Sequence, residues 1–345
     1  MPRKSAIAIA SRAVEAENGV PDKDLLASRT GTTTMSRILV SGSTGLVGSA
    51  VMSALEKEGH DMVRLVRPNT TMNGVDRLSA NGKSAINWDP GKGEVDVAEL
   101  EGLDGVVHLA GDNIASGRWT DSKKESIRYS RVIGTRFLCD QLEKLERPPK
   151  VLVCASAIGY YGDRGDEVMT EESPPAEDFL AEVCREWEAA CKPAIRKGIR
   201  VVNLRIGVVL SPKGGGLHKM LLPFKMGVGG VVGSGRQYWS WIALDDLVKV
   251  ISFALHDEKI SGPVNAVSPN SLTNREFTTT LGKVLRRPTI APLPAFAARM
   301  MMGRELADAI LLSSTRVQPA KLQAAGFRFN YADLETALRH LLGRN

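Results

Sequence analysis

A β-branched run, Ile38 to Val40, is followed by Gly42, Gly45 and Gly48, and then by Leu46, Val47, Ala50, Val51, Ala54 and Leu55 at helical spacing. This pattern predicts a buried strand, a glycine turn, and a helix that opens near Leu46 and closes at Gly59. The alternation then repeats. Residues 62–66 and 86–88 read as a second and a short third strand, and the apolar run from Gly105 to Gly111 as a fourth. A long helix over about 122–145, a strand over 151–156, a helix over about 176–197 and a strand over 200–209 follow. Strands separated by long helices predict an α/β fold with a parallel sheet, doubly wound and covered on both faces.

The pattern loosens after Ser211. Glycines at 214–216 and 227–235 surround Leu221, Leu222, Pro223 and Phe224, and the region is expected to form loops that shape a ligand site. A helix over 245–255 and a strand over 264–267 come next. From about Pro292 the chain reads as helical, with an apolar stretch over 295–302 whose Met300, Met301 and Met302 are expected to fill a core. A short helix is expected around Lys321 and Leu322. In the last helix Leu334, Ala337, Leu338, Leu341 and Leu342 form one stripe, expected to be buried. The domain plan that follows has three parts. Residues 1–34, polar and rich in small side chains, form a disordered extension. Residues 35–290 form the main domain, with its substrate lobe mainly in 211–290. Residues 291–345 form a smaller C-terminal helical lobe.

Composition narrows the class of function. The 345 residues carry a formal net charge of +6 with the basic residues scattered, so no nucleic-acid partner is expected. No run of about 18 or more apolar residues exists, so no membrane partner is expected either. The four cysteines, Cys139, Cys154, Cys184 and Cys191, form no C-x-x-C pair. They read as buried thiols of a reduced, cytoplasmic protein with no metal site. The five histidines are isolated, and His108, inside the fourth strand, reads as a satisfied core residue.

The chemistry concentrates at the first glycine turn. Gly42 permits a tight turn, Gly45 lets the backbone approach a pyrophosphate, and Gly48 lets the helix pack against the strand. The free N–H groups of that helix face the phosphates with the positive end of the helix dipole behind them. The candidate cofactor-binding residues are therefore Gly42, Ser43, Thr44, Gly45, Leu46, Val47 and Gly48. At the end of the second strand Arg67 stands where a carboxylate would select NAD, so the expected cofactor is NADP(H), with Arg67 on the 2′-phosphate. Leu109, Ala110 and Gly111, ending the fourth strand, are expected beside the ribose and pyrophosphate. Arg131 and Arg136 lie five apart on the following helix, so at most one of them reaches phosphate.

The runs Gly42–Gly48, His108-Leu-Ala-Gly-Asp-Asn-Ile114, Ser130-Arg-Val-Ile-Gly-Thr-Arg136, Ser156-Ala-Ile-Gly-Tyr-Tyr-Gly162, Arg205–Leu210 and Gly233–Ile242 carry a resemblance from Ser36 to the C-terminus. The chain resembles the epimerase-like, atypical short-chain dehydrogenase/reductase family. The resemblance implies a Rossmann-type NADP-binding domain followed by a small helical domain of unknown role, a nicotinamide dinucleotide partner, an unknown small-molecule substrate and a homodimer. Relatives of the extended branch use a Ser/Thr, a Tyr and a Lys four residues after the Tyr. Aligned on Tyr161-Gly162, the hydroxyl position falls on Ala157, and the Tyr and Lys positions fall on Phe179 and Val183. The usual catalytic set is thus expected to be absent, with Ser156, Tyr160 and Tyr161 as candidate substitutes. Arg205 is a candidate for an anionic substrate or a carboxylate partner. Trp239 and Trp241 stack on a substrate ring or fill the core. Two readings stay open. One is an NADP(H)-dependent oxidoreductase or epimerase. The other is a non-catalytic NADP(H)-binding protein that serves a partner, for example in division.

Overall fold

The computed structural model describes residues 35–68 and 85–344. The expectation for residues 1–34 lies outside the described residues. Eight strands form the central sheet: β1 (Arg37–Ser41), β2 (Asp61–Val66), β3 (Ala85–Asp89), β4 (Glu94–Val95), β5 (Gly105–His108), β6 (Val151–Ala157), β7 (Arg200–Ile206) and β8 (Gly262–Ala266). Their spatial order is β8-β7-β6-β5-β1-β2-β3-β4. All neighbours are parallel except the β3–β4 pair at the edge. The order reverses between β1 and β5, and ligands of doubly wound sheets bind at such a reversal, outside the carboxyl ends of the strands.

Alternation along β1 feeds both faces. Ile38 and Val40 pack with Val51, Met52 and Leu55 of α1 (Leu46–Lys57) and with Leu247, Val250 and Ile251 further along. Leu39, between them, points into the opposite cluster with Leu138, Leu142 and Trp187. Those residues come from α3 (Gly134–Lys144), which follows α2 (Asp121–Arg128), and from α4 (Phe179–Ala189).

Several departures from the sequence expectations bear on the site. The long helix after β5 is interrupted by a π-helical turn over Tyr129–Ile133, the segment that carries Ser130 and Arg131. The expected helix over 176–197 starts at Phe179, where Asp178 caps the N–H groups of Leu180 and Ala181, and it breaks before a separate helix Lys192–Arg196. The expected strand over 200–209 ends at Ile206. Residues Val208–Leu210 pair instead with Trp241–Ala243. The glycine-rich stretch after Ser211 holds a helix, α5 (Gly215–Lys225), because Leu217, Leu221 and Phe224 recur on one buried face. Beyond it come α6 (Leu244–His256), α7 (Asn274–Leu285), α8 (Ala295–Met302) and α9 (Leu334–Leu341).

The C-terminal stripe is buried as expected at Leu334, Ala337 and Leu338. It enters one cluster with Leu217, Phe224, Trp241 and Phe277, so residues on both sides of position 290 share a core. Trp239 and Trp241 belong to that cluster. Met300 and Met301 do not fill a core: they are 65% and 71% exposed, and only Ala298 of α8 is buried. Among the described residues no helix is long and apolar enough to cross a membrane.

Candidate functional site

The glycine turn joins β1 to α1. Gly42 takes φ +67°, and a Cβ there would stand 2.8 Å from the Leu109 carbonyl carbon. A Cβ on Gly48 would overlap the Gly42 carbonyl oxygen. The two glycines therefore let the first turn, the helix and the Leu109–Gly111 segment close on one another. Gly45 is the N-cap of α1 with no side-chain cap, so the first N–H groups of the helix are left for another acceptor. Thr44 and Gly45 are exposed, while Ser43 is 2% exposed and its Oγ has no hydrogen-bond partner among the described residues. A buried hydroxyl without a partner is costly, and beside an uncapped helix N-terminus it fits a bound phosphate oxygen.

The second wall is built from Ser41 and His108. Ser41 Oγ accepts the N–H groups of Leu109 (3.1 Å) and Ala110 (3.2 Å) and lies 2.7 Å from His108 Nδ1. With both acceptor positions used, the hydroxyl proton goes to Nδ1. His108 Nε2–H then donates to Thr135 Oγ1 at 3.0 Å, which also accepts Trp187 Nε1–H at 2.8 Å. Burial alone pushes the His108 pKa down to about 4, so the ring is neutral. The reading of His108 as a satisfied core residue holds.

Arg131, carried on the π turn, lies beside Gly111: a Cβ on that glycine would stand 3.3 Å from the guanidinium carbon. Such turns inside helices recur at functional sites. Arg131 stacks on Trp187, 5.1 Å from the ring centroid, and donates to the Ile127 carbonyl at 3.3 Å. Burial lowers its pKa, and it forms no ion pair among the described residues. Arg136 is not brought to this place. It pairs with Asp140 at 2.8 Å on a half-exposed face of α3, as i,i+4 spacing allows. Arg67 follows β2 and is exposed, at the carboxyl end of the sheet where it was expected.

The three catalytic candidates do not stand alike. Ser156 is 3% exposed and donates to Glu188 Oε1 at 2.8 Å. Tyr161 is fully buried. It donates to Asn265 Oδ1 (2.7 Å) and accepts from Arg205 Nη1 (2.9 Å), and burial pushes its pKa up to about 12. Tyr160 is half-buried. Its ring lies on the Arg205 guanidinium, 3.5 Å from carbon to centroid, and its hydroxyl has no hydrogen-bond partner among the described residues. Arg205 finds the carboxylate partner that was one of its two expectations. Burial opposes its charge most, but Glu188 and Tyr161 together outweigh it and hold its pKa above the ordinary arginine value.

A carboxylate on a helix, such as Glu188 on α4, is no candidate for a site by residue type alone. The available signal was its place among Cys184, Trp187 and Cys191, which are buried. Asn265 and Glu171, which accepts Asn265 N–H at 3.0 Å, were not singled out and had no local signal.

Phe179 and Val183, aligned with the Tyr and Lys of the extended branch, lie on α4. Phe179 packs edge-on against Trp119 at 5.4 Å and under Lys124, and Val183 is buried. The loop over 111–120 is pinned by Lys123, which donates to Asp112 (2.6 Å) and Ser116 (2.8 Å). No group of His, Cys, Asp or Glu among the described residues could hold a metal ion.

Comparison with known proteins agrees with this geometry. The profile described as "NAD dependent epimerase/dehydratase family" matches residues 38–266, and that of a domain of unknown function (DUF1731) matches residues 293–341. The chain is 41% identical over 307 residues to the epimerase family protein Mb2239 of Mycobacterium bovis, covering 89% of this chain and 98% of the relative. The crystal structure of human epimerase family protein SDR39U1 with NADPH superposes with a TM-score of 0.79 at 32% identity, covering 90% of this chain and all of the other. UDP-N-acetylglucosamine 4-epimerase from Bacillus cereus has the same fold, with a TM-score of 0.67 at 21% identity over 90% of this chain and all of the other.

Proposed function

The chain belongs to the NAD-dependent epimerase/dehydratase family, and from that membership we propose that it binds NADP(H) across the Gly42–Gly48 turn and acts as an oxidoreductase on a small hydroxyl or carbonyl compound. The observation that carries the reading is the uncapped amino end of α1 with the unpartnered Ser43 hydroxyl buried beside it. Helix N–H groups and a free hydroxyl together suit a pyrophosphate. The NADPH bound to human SDR39U1 supports the choice of cofactor, as does Arg67 in place of a carboxylate after β2. Leu109, Ala110 and Gly111 flank the ribose, and Arg131 supplies a cation with no carboxylate of its own.

When bound, the cofactor supplies or accepts a hydride. The chain's own residues move the proton. Tyr160 is the donor, because its hydroxyl is unengaged while those of Ser156 and Tyr161 are committed to Glu188 and Asn265. Ser156 and Tyr161 act through the network, holding Glu188 and Arg205 beneath the Tyr160 ring. Four unpaired, buried cysteines support a reducing, cytoplasmic setting.

A second reading rests on one observation. Phe179 and Val183 offer neither the hydroxyl nor the charge that relatives of the extended branch use, which favours an NADP(H)-binding protein without turnover. One experiment separates the two. NADPH binding is followed by its fluorescence, and consumption is then measured against carbonyl compounds and sugar nucleotides for the parent and Tyr160→Phe. Turnover lost in the variant with binding retained is expected. Binding with no turnover on any compound would support the second reading. No binding at all would refute both.

A further inference from the structure

Neither residues 189–244 nor residues 277–304 contain an aspartate or glutamate, although the chain has 39 of them. An even spread would place about nine in these two stretches. The same stretches hold eight of the twelve large apolar side chains left exposed among the described residues. Scattered exposed apolar residues need no explanation, whereas hydrocarbon concentrated together with charge of one sign does.

The two stretches are joined through their backbones. Gly230 bridges Ile290, Gly233 N–H donates to the Leu293 carbonyl at 2.9 Å, and Leu293 N–H donates to the Val231 carbonyl at 2.8 Å. The carboxyl end of α5 therefore lies beside the turn that follows α7, where a Cβ on Gly227 would stand 3.8 Å from the Pro288 ring. On α5, Leu217, Leu221 and Phe224 are buried, while Leu222, Lys225 and Met226, at i, i+3 and i+4, are exposed on another side. Val228 and Ile290 are 56% and 83% exposed, and Arg286 and Arg287 are exposed between them and α7. Lys283 of α7 pairs with Glu335. Lys225, Arg286 and Arg287 form no ion pair among the described residues.

Arg286 carries a second signal. It is the one non-glycine residue among those described with a positive φ, +54°, and it ends α7 in the left-handed conformation. Glycine is the usual residue there, because a Cβ strains this backbone. The arginine side chain gains no hydrogen bond or ion pair among the described residues that would offset the strain. Strain retained at an exposed cation, beside exposed hydrocarbon, points to a role outside the fold.

We propose that this face rests on an anionic lipid surface. Leu222, Met226, Val228 and Ile290 enter the headgroup region, and Lys225, Arg286 and Arg287 meet the phosphates. Hydrocarbon set among unpaired cations matches a partner that offers both apolar depth and negative charge. A nucleic acid would use the cations and leave the hydrocarbon in water. A second copy laid on the same face would oppose like charges. The expectation of no membrane partner rested on the lack of a spanning run, which contact of this kind does not need. The inference is independent of the cofactor reading.

The test is co-sedimentation of the full chain with vesicles of phosphatidylcholine alone and with vesicles of which about one third is phosphatidylglycerol, at low and high salt. Binding to the anionic vesicles should be about tenfold tighter or more than to the neutral ones, and salt should weaken it. Arg286→Gly separates a surface role from a structural one. Relief of the left-handed position should hold or raise the melting temperature, while vesicle binding falls about fivefold, the worth of one cation near an anionic surface. Lys225→Ser/Arg287→Ser should weaken binding by about twentyfold or more, and Leu222→Gln/Ile290→Gln by about tenfold or more. Lys192→Ser/Lys197→Ser, which alters exposed cations on and after the helix Lys192–Arg196, should change nothing. No binding to anionic vesicles, equal binding to both kinds, or undiminished binding by Arg286→Gly would overturn the proposal. So would binding of single-stranded DNA in place of vesicles, lost with the cations and kept in Leu222→Gln/Ile290→Gln, since the face would then serve a polyanion. A parent dimer that Leu222→Gln/Ile290→Gln abolishes while vesicle binding stays the same would assign the face to a second copy and overturn it too.

Discussion

Arg205 and Glu188 form a two-pronged ion pair beneath the end of β6, Nε to Oε1 at 2.8 Å and Nη2 to Oε2 at 2.9 Å, with side chains only 3% and 14% exposed. Removing one partner of such a pair leaves the other charged and buried, which costs about 3 kcal/mol or more. Glu188→Ala should therefore lower the unfolding free energy by about that amount in urea titration. It also strips Ser156 Oγ of its acceptor. Arg205→Met/Glu188→Leu should recover most of the loss, because no unpaired charge remains. A single variant as stable as the parent would show that the pair is open to water.

The glycine turn predicts two different failures from two similar substitutions. At Gly45 φ is −76°, and a Cβ would meet only the Gly42 carbonyl oxygen, at 3.2 Å. Gly45→Val should keep the fold and place a branched side chain where the pyrophosphate approaches. Losing two charge-assisted N–H contacts corresponds to about a hundredfold weaker NADPH binding. At Gly48 any side chain collides with the Gly42 backbone, so Gly48→Val should lower the melting temperature as well as binding. Unchanged affinity in Gly45→Val would remove the basis for the cofactor site.

The parts legible in the sequence were those written in local periodicity. Ile38–Val40, the three glycines and the α1 stripe predicted one another, and β2, β5, β6 and the α6 and α9 helices followed from the same two periods. What escaped notice depended on partners far along the chain. Nothing near Glu188 names Arg205, and nothing near Tyr161 names Asn265, 104 residues away. The α5 helix was hidden because Gly214–Gly216 and Pro223 are turn signals, yet its buried face outweighs them. Met300 and Met301 look like core residues by composition, and only the packing of Ala298 against the rest shows which face of α8 turns outward.

Ser43 offers a prediction with opposite signs for the empty and loaded protein. Its hydroxyl is buried and unpartnered, so Ser43→Ala removes an unsatisfied group and should leave the unliganded protein as stable as before or more stable, by up to about 1 kcal/mol. With NADPH the hydroxyl gains a phosphate acceptor. The same variant should then bind about tenfold more weakly, the worth of one hydrogen bond to a charged group. Thermal shift with and without NADPH reads both effects. A variant that loses stability while empty would mean that the hydroxyl has a partner of its own.

His108 makes stability depend on pH in a stated direction. Its folded pKa of about 4 lies below the ordinary value of 6.5 because the ring is fully buried and neutral. The unfolded chain therefore binds the extra proton first as pH falls, and stability drops between about pH 6.5 and pH 4. The penalty from this one residue is about 2 kcal/mol between pH 7 and pH 5. Carboxylates contribute mostly below that range, so the residue can be isolated by difference. His108→Gln, which can still offer an acceptor to Ser41 and a donor to Thr135, should be less stable at pH 7 through imperfect packing yet lose less on going to pH 5. Equal slopes for the two proteins in urea unfolding across pH 5–7 would mean that the ring takes up its proton in the folded state, and that the Ser41–His108–Thr135 chain behind the Leu109–Gly111 wall is open to water.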